Sequence, residues 1–358
     1  MSDQVLVAVL AAVASLAVAV ISVRASTRTS KRVAALTKEL EVQKLRLASE
    51  LEEQRAIRDA RRDYEYEARK RLYEECEPLL FEAAELAERA RARALSIART
   101  CRRGDLLPDG SGWLAGLGYY FQSTLYFLLA PMTSFKILQH RLTVIDLSLE
   151  PRLQAQYELL KLIFRSFTED HDLARCEPAL DYDPDRADPG RPDREKLLRR
   201  APRVYRRQGL YLGTLEVATE AMIKERSRDG GGDVSRCRTY GEFLAELRDT
   251  KSGIAAVMPD LTALFQGFHP QQQPALWRVL VSQVLLYDSF LHAYRSVQGN
   301  DRRLPQLVRR PSDEEVGLLD WRRPSDRVDG EAAREPVVVA HAYLERRIAE
   351  LERAVQRG

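Results

Sequence analysis

A chain of 358 residues has room for one or two domains of ordinary size. An apolar share of 45% beside a charged share of 30% excludes wholesale disorder. Fifty-six basic residues against fifty-three acidic ones leave a net charge of +3, too little to make nucleic acid an expected partner.

From Val5 to Val23 run nineteen residues without a charge, with only Ser15 and Ser22 polar. At about 1.5 Å per residue, such a helix nearly matches a hydrocarbon core of about 30 Å. A cleaved signal peptide is the rival assignment. It needs a basic start, a shorter apolar run and a small-x-small cleavage site. Residues 1–4 carry one acid and no base, so residues 5–23 are expected to be a retained transmembrane anchor in contact with membrane lipid. Ala11, Ser15 and Ala19 lie at the spacing that lets two such anchors pack closely.

Arg24, Arg28, Lys31 and Arg32 follow the anchor, with no acid among residues 24–38. Basic residues stay on the cytoplasmic side, which puts the N-terminus outside and everything after Arg24 inside. Four cysteines at 76, 101, 176 and 237 form no close pair, as suits a reducing compartment. Arginine outnumbers lysine 47 to 9, the usage of a high-GC genome. The expected location is a bacterial inner (plasma) membrane.

Residues 26–103 are expected to form juxtamembrane helices with coiled-coil character. No proline or glycine occurs from Ser26 to Glu75. Val33, Leu36, Leu40 and Leu47 fit a and d places of a heptad, continued by Gln43, Gln54 and Ile57. Pro78 suits the first turn of a restarted helix, which would end at Arg103-Gly104.

Residues 113–180 read as an apolar helical core. No charged side chain occurs from Gly112 through Phe135, and both a second membrane span and a buried soluble helix fit that run. Tyr119, Tyr120, Gln122, Ser123, Thr124 and Pro131 dilute it and favour the buried helix. Leu153–Phe167 and Trp277–Leu291 would wrap it. Residues 181–202 form a Pro/Asp/Arg-rich linker, 203–298 the second part of the helical body, and 299–333 a further linker. Thr239 with Glu242, and Ser312 with Glu315, have capping-box spacing. No alternating run bounded by turn dipeptides suggests a strand. The C-terminal amphipathic helix, 334–356, aligns Leu344, Ile348, Leu351 and Val355 in a second a/d seam. That seam would meet the juxtamembrane helix or a second subunit.

The expected fold is therefore all-α: one N-terminal transmembrane helix, a long juxtamembrane helix or coiled coil, then a cytoplasmic helical bundle. This layout resembles that of bacterial single-pass membrane proteins, a likeness of architecture that carries over no site residue.

Chemistry-bearing patterns are few. His171-Asp172, thirty-one residues after His140, resembles the ligand set of the all-helical, metal-dependent phosphohydrolases called HD proteins. The resemblance covers three residues, with Asp260 a free choice of fourth ligand, and Leu173-Ala174-Arg175 follows where that family usually places glycine. It implies a metal-activated water. The plainer alternative is a polar helix end at Thr168, Glu169 and Asp170. Asp181, Asp183 and Asp185 alternate like the start of a calcium loop, but Arg186 and Pro192 occupy its glycine and glutamate places. Residues 194–207 hold seven bases against Glu195, a density that suits anionic headgroups or an exposed helix face.

No phosphate loop, dinucleotide turn, nucleophile elbow or zinc-helix pair occurs. No catalytic residue, metal site or cofactor is assigned. The expected role is non-enzymatic: a membrane-anchored helical module that binds itself or another protein through its two seams. A membrane-active defence or stress effector is the second reading, and the phosphohydrolase the third.

Overall fold

The computed structural model describes residues 3–142, 147–183, 207–227, 233–295, 308, 310–323 and 330–355. Cα packing divides the chain into two compact units, Met1–Glu67 and Ala68–Gly358. The fold is almost wholly helical. α1 (Asp3–Arg103) is one continuous helix that supplies the described part of the first unit and opens the second.

Ala, Leu, Arg, Glu and Lys dominate α1, and each loses little on entering a helix. In the first unit every described side chain from Val9 on is exposed except Glu65, which is half-buried beside Arg61. Arg46–Glu50 at 3.1 Å and Arg61–Glu65 at 3.0 Å are i,i+4 pairs, worth about 0.3–0.5 kcal/mol each.

Pro78 lies inside α1, so the expected restart there is corrected to an unbroken helix. A proline costs one backbone bond; burial on both sides of it, at Cys76, Leu79 and Leu80, offsets that loss. The helix stops at Gly104, whose φ of +83° suits a residue without a Cβ. The amide of Gly104 donates to the Cys101 carbonyl and that of Asp105 to Thr100, the paired bonds of a Schellman end.

α2 (Tyr119–Arg141) is buried through most of its length, from Phe121 to Leu138. Its hydroxyls do not oppose this burial. Thr124 donates to the Tyr120 carbonyl, Thr133 to Leu129 and Ser134 to Ala130, so each polar group is satisfied inside the helix. Lys136, 7% exposed, reaches Glu216 at 3.2 Å.

α3 (Pro151–Ser166) packs between α2 and a later helix, and the short α4 (Asp170–Arg175) follows. α5 (Leu212–Ala221) precedes an antiparallel hairpin of β1 (Ile223–Ser227) and β2 (Asp233–Cys237), paired Ile223 with Cys237 through Ser227 with Asp233. This hairpin corrects the expectation that no strand is present. Its residues have poor strand propensity; Glu242 holds it at the base, with Lys224 at 2.6 Å and Arg236 at 2.8 Å. Those two cations also hold the Glu242 carboxyl well below the usual range, Arg236 first.

α6 (Tyr240–Arg248) and α7 (Gly253–Phe265) lead to α8 (Pro274–Arg295), against which α3, α4 and the last helix all pack. The centre of the core is thus α8, not α2. α9 (Asp313–Leu319) lies inside the stretch expected to be a linker and buries Leu319. α10 (Gly330–Val355) closes the chain. Both capping boxes form, at Thr239 with Glu242 and Ser312 with Glu315.

Candidate functional site

Among the described residues, one helix is long and apolar enough to cross a membrane, and none of its apolar window is buried by protein. Leu16 is 68% exposed and Ile21 67%. Immediately beyond, Arg24, Arg28, Lys31 and Arg32 are all exposed. The Thr27 hydroxyl donates to the Val23 carbonyl at 2.8 Å, so that polar group is satisfied within the helix as the apolar run ends.

The first seam lies on the same helix. Val33, Leu36, Leu40, Leu47 and Ile57 are each more than half exposed. The second seam is placed differently. Leu344 is fully buried, Ile348 is 8% exposed and Leu351 packs at the edge of the core. Their helix packs on α8, α9 and α4 of the same chain. Val355 ends α10, and its side chain lies outside the described residues.

Polar contacts fix α10 in place. Glu169 accepts from Tyr343 and, at 2.6 Å, from Arg347. The Arg278 guanidinium, 1% exposed, donates to the carbonyls of Leu173 at 2.8 Å, Cys176 at 3.3 Å and Pro178 at 2.5 Å, and to Glu335 at 2.5 Å. Asp170, also buried, accepts from Tyr182 and from the Gln208 amide at 2.8 Å. The Gln208 side chain in turn accepts from Ala275 and Leu276, satisfying the first turn of α8. None of these roles had a sequence signature, because most of the partners are more than thirty residues away and even Tyr182 lies twelve residues beyond Asp170.

The chemistry-bearing patterns gather no site. Among the described residues no group of three His, Cys, Asp or Glu side chains is placed to hold a metal ion. His140 lies in the last turn of α2, His171 and Asp172 lie in α4, and Asp260 accepts from Thr214 at 3.1 Å. The residues 184–206 that carry most of the basic cluster, with Asp185, Arg186 and Pro192, lie outside the described residues. Arg207 stacks on Tyr211 at 3.9 Å.

A recess of about 280 Å³ is lined by Phe81, Glu82, Arg89, Tyr126, Cys237 and Arg238. Burial pushes the Glu82 carboxyl up, although it accepts from the Cys237 amide at 3.3 Å. Burial also pushes the Cys237 thiol far above its ordinary range, which removes it as a nucleophile near neutral pH. Burial raises Cys76 to about 11 and Cys101 to about 12. These thiols are packing groups.

No protein family, curated protein or solved structure matches the chain.

Proposed function

We propose that this protein is a non-enzymatic, single-pass membrane protein whose helical body assembles with copies of itself or with a protein partner. The carrying observation is the contrast between the two seams. The body consumes Leu344 and Ile348 in its own core, whereas the first unit leaves Leu36, Leu40 and Leu47 open just beyond an exposed apolar segment. Apolar surface in such quantity is stable only when lipid or protein covers it.

The membrane is a bacterial inner membrane in this reading, with residues 1–4 outside and the body in the cytoplasm. Support comes from Arg24, Arg28, Lys31 and Arg32, which suit an anionic inner leaflet. The anchor gathers the bodies at one surface, and the raised effective concentration lets weak helix contacts form.

The test has two arms. Full-length protein should sediment with membranes, and a tag after Gly358 should resist protease until the cytoplasmic face is opened. Changing Leu36, Leu40 and Leu47 together to Ser should lower the crosslinked mass while the chain still sediments. A soluble full-length product, an outward-facing tag or an unchanged crosslinked mass defeats the reading.

A further inference from the structure

We infer that the exposed seam binds a second copy of this chain as a parallel, in-register two-stranded coiled coil over residues 33–57. The inference rests on the membrane reading, because two anchors inserted in the same sense make the helices that leave them parallel.

The heptad frame fixes the rest. With Val33, Leu40, Leu47 and Gln54 at a, the d places hold Leu36, Gln43, Glu50 and Ile57. The flanking g residues are then Arg32, Glu39, Arg46 and Glu53, and the e residues Thr37, Lys44, Leu51 and Arg58. In a parallel pair each g residue faces the e residue five positions on in the other strand. The four facings are Arg32 with Thr37, Glu39 with Lys44, Arg46 with Leu51, and Glu53 with Arg58. Two are opposite charges and none is a like pair, so this surface is complementary to itself in this register.

Shifting one strand by a heptad brings Glu39 opposite Leu51 and Arg46 opposite Arg58, which replaces attraction with repulsion. The seam also ends where the pattern fails. Arg61 takes the next a place, and its guanidinium is held by Glu65 on the same helix at 3.0 Å. Within the seam, Glu50 is the one acid at a core place, and Arg46 of its own strand holds it at 3.1 Å. Side chains at 33, 36, 40, 47 and 57 are 56–61% exposed, so their apolar surface stands free for the second strand.

The experiment uses full-length protein in vesicles of zwitterionic and anionic lipid, with the four native free cysteines setting the background of disulfide crosslinking. Leu36→Cys, at a d place, should give an oxidised homodimer; Lys38→Cys, on the far face, should not. Adding Glu39→Lys and Glu53→Lys to the Leu36→Cys chain should abolish that crosslink. Mixing it with a Leu36→Cys chain carrying Lys44→Glu and Arg58→Glu should restore it as a heterodimer. These are surface changes on an exposed helix and leave the body folded.

Equal crosslinking at 36 and 38, or indifference to charge reversal, overturns the inference. If lysine-reactive crosslinking still shows dimers in those cases, assembly stands and only this interface falls. If the chain fails to enter the vesicles, the membrane reading itself has failed.

Discussion

Leu344 and Leu36 occupy the same kind of heptad place in opposite surroundings, 0% and 60% exposed. Truncating each to alanine therefore separates folding from assembly. Leu344→Ala opens a cavity where α10 meets α8, and buried Leu→Ala changes cost about 2–5 kcal/mol. In a body of 291 residues (68–358), an unfolding entropy of about 2.1 cal/mol/K per residue makes each kcal/mol lower the midpoint by about 1.6 °C, so a loss of about 3–8 °C is expected. Leu36→Ala removes surface already in water and should stay within about 0.5 kcal/mol. The assay is thermal unfolding of the full-length chain in detergent, followed by tryptophan fluorescence, of which the buried reporter is Trp277, 1% exposed at the start of α8. Crosslinked dimer is measured in parallel and should fall for Leu36→Ala alone. Equal midpoints for the two variants, or a Leu344→Ala protein that keeps its midpoint but loses its dimer, would refute the assignment of the two seams.

Arg278→Met should destabilise the body by about 3–5 kcal/mol, because Glu335 and three carbonyls lose a buried charged donor; a denaturation midpoint near that of the unchanged chain contradicts this. His269, 4% exposed, is lowered to about 4 by burial first and by the Arg323 charge second. The unfolded chain binds its proton near pH 6.5, so stability should fall as pH drops from about 6.5 towards 4, by roughly 2–3 kcal/mol, and His269→Gln should flatten that slope in pH-dependent melts. Alkylation of the native protein at pH 8 should label Cys176, the half-buried thiol, and spare buried Cys76, Cys101 and Cys237 until denaturant is added; mass spectrometry showing all four labelled at once would contradict the packing described.

What could be read from sequence was local. The helical class, the two capping boxes and the stop at Gly104 depend on neighbours within a few residues, and all appear in the fold. The seam that roots α1 in the body was missed: Cys76, Leu80, Ala83, Ala87, Ala90, Ala94, Ile97 and Cys101 recur at steps of four and three and are nearly fully buried. Alanine and cysteine carry little apolar weight, and the Glu and Arg between them hide the stripe. The hairpin was missed because ion pairs to Glu242 hold it, not strand propensity. For the candidate site, the exposed seam was legible as a pattern. Its environment was not, since Leu36 and Leu344 carry equivalent signatures and only the supply of apolar neighbours distinguishes them.

That supply also explains why the open seam is weak by composition. Three of its eight core places, Gln43, Glu50 and Gln54, are polar, and each polar core residue sacrifices stability for register. In free solution such a short pair would pay the full entropy of association. On the proposed reading, two chains held in one bilayer have already lost most of that freedom and share an orientation. That is the ground for expecting five apolar layers and the four ion pairs of a two-fold pair (Glu39 with Lys44 and Glu53 with Arg58, each twice) to suffice. A stronger seam would bind wherever the helix was made, including before insertion. On the proposed reading, the polar layers confine pairing to chains that the anchor has already brought together, which ties the weakness of residues 33–57 to the proposed membrane residence of residues 5–23.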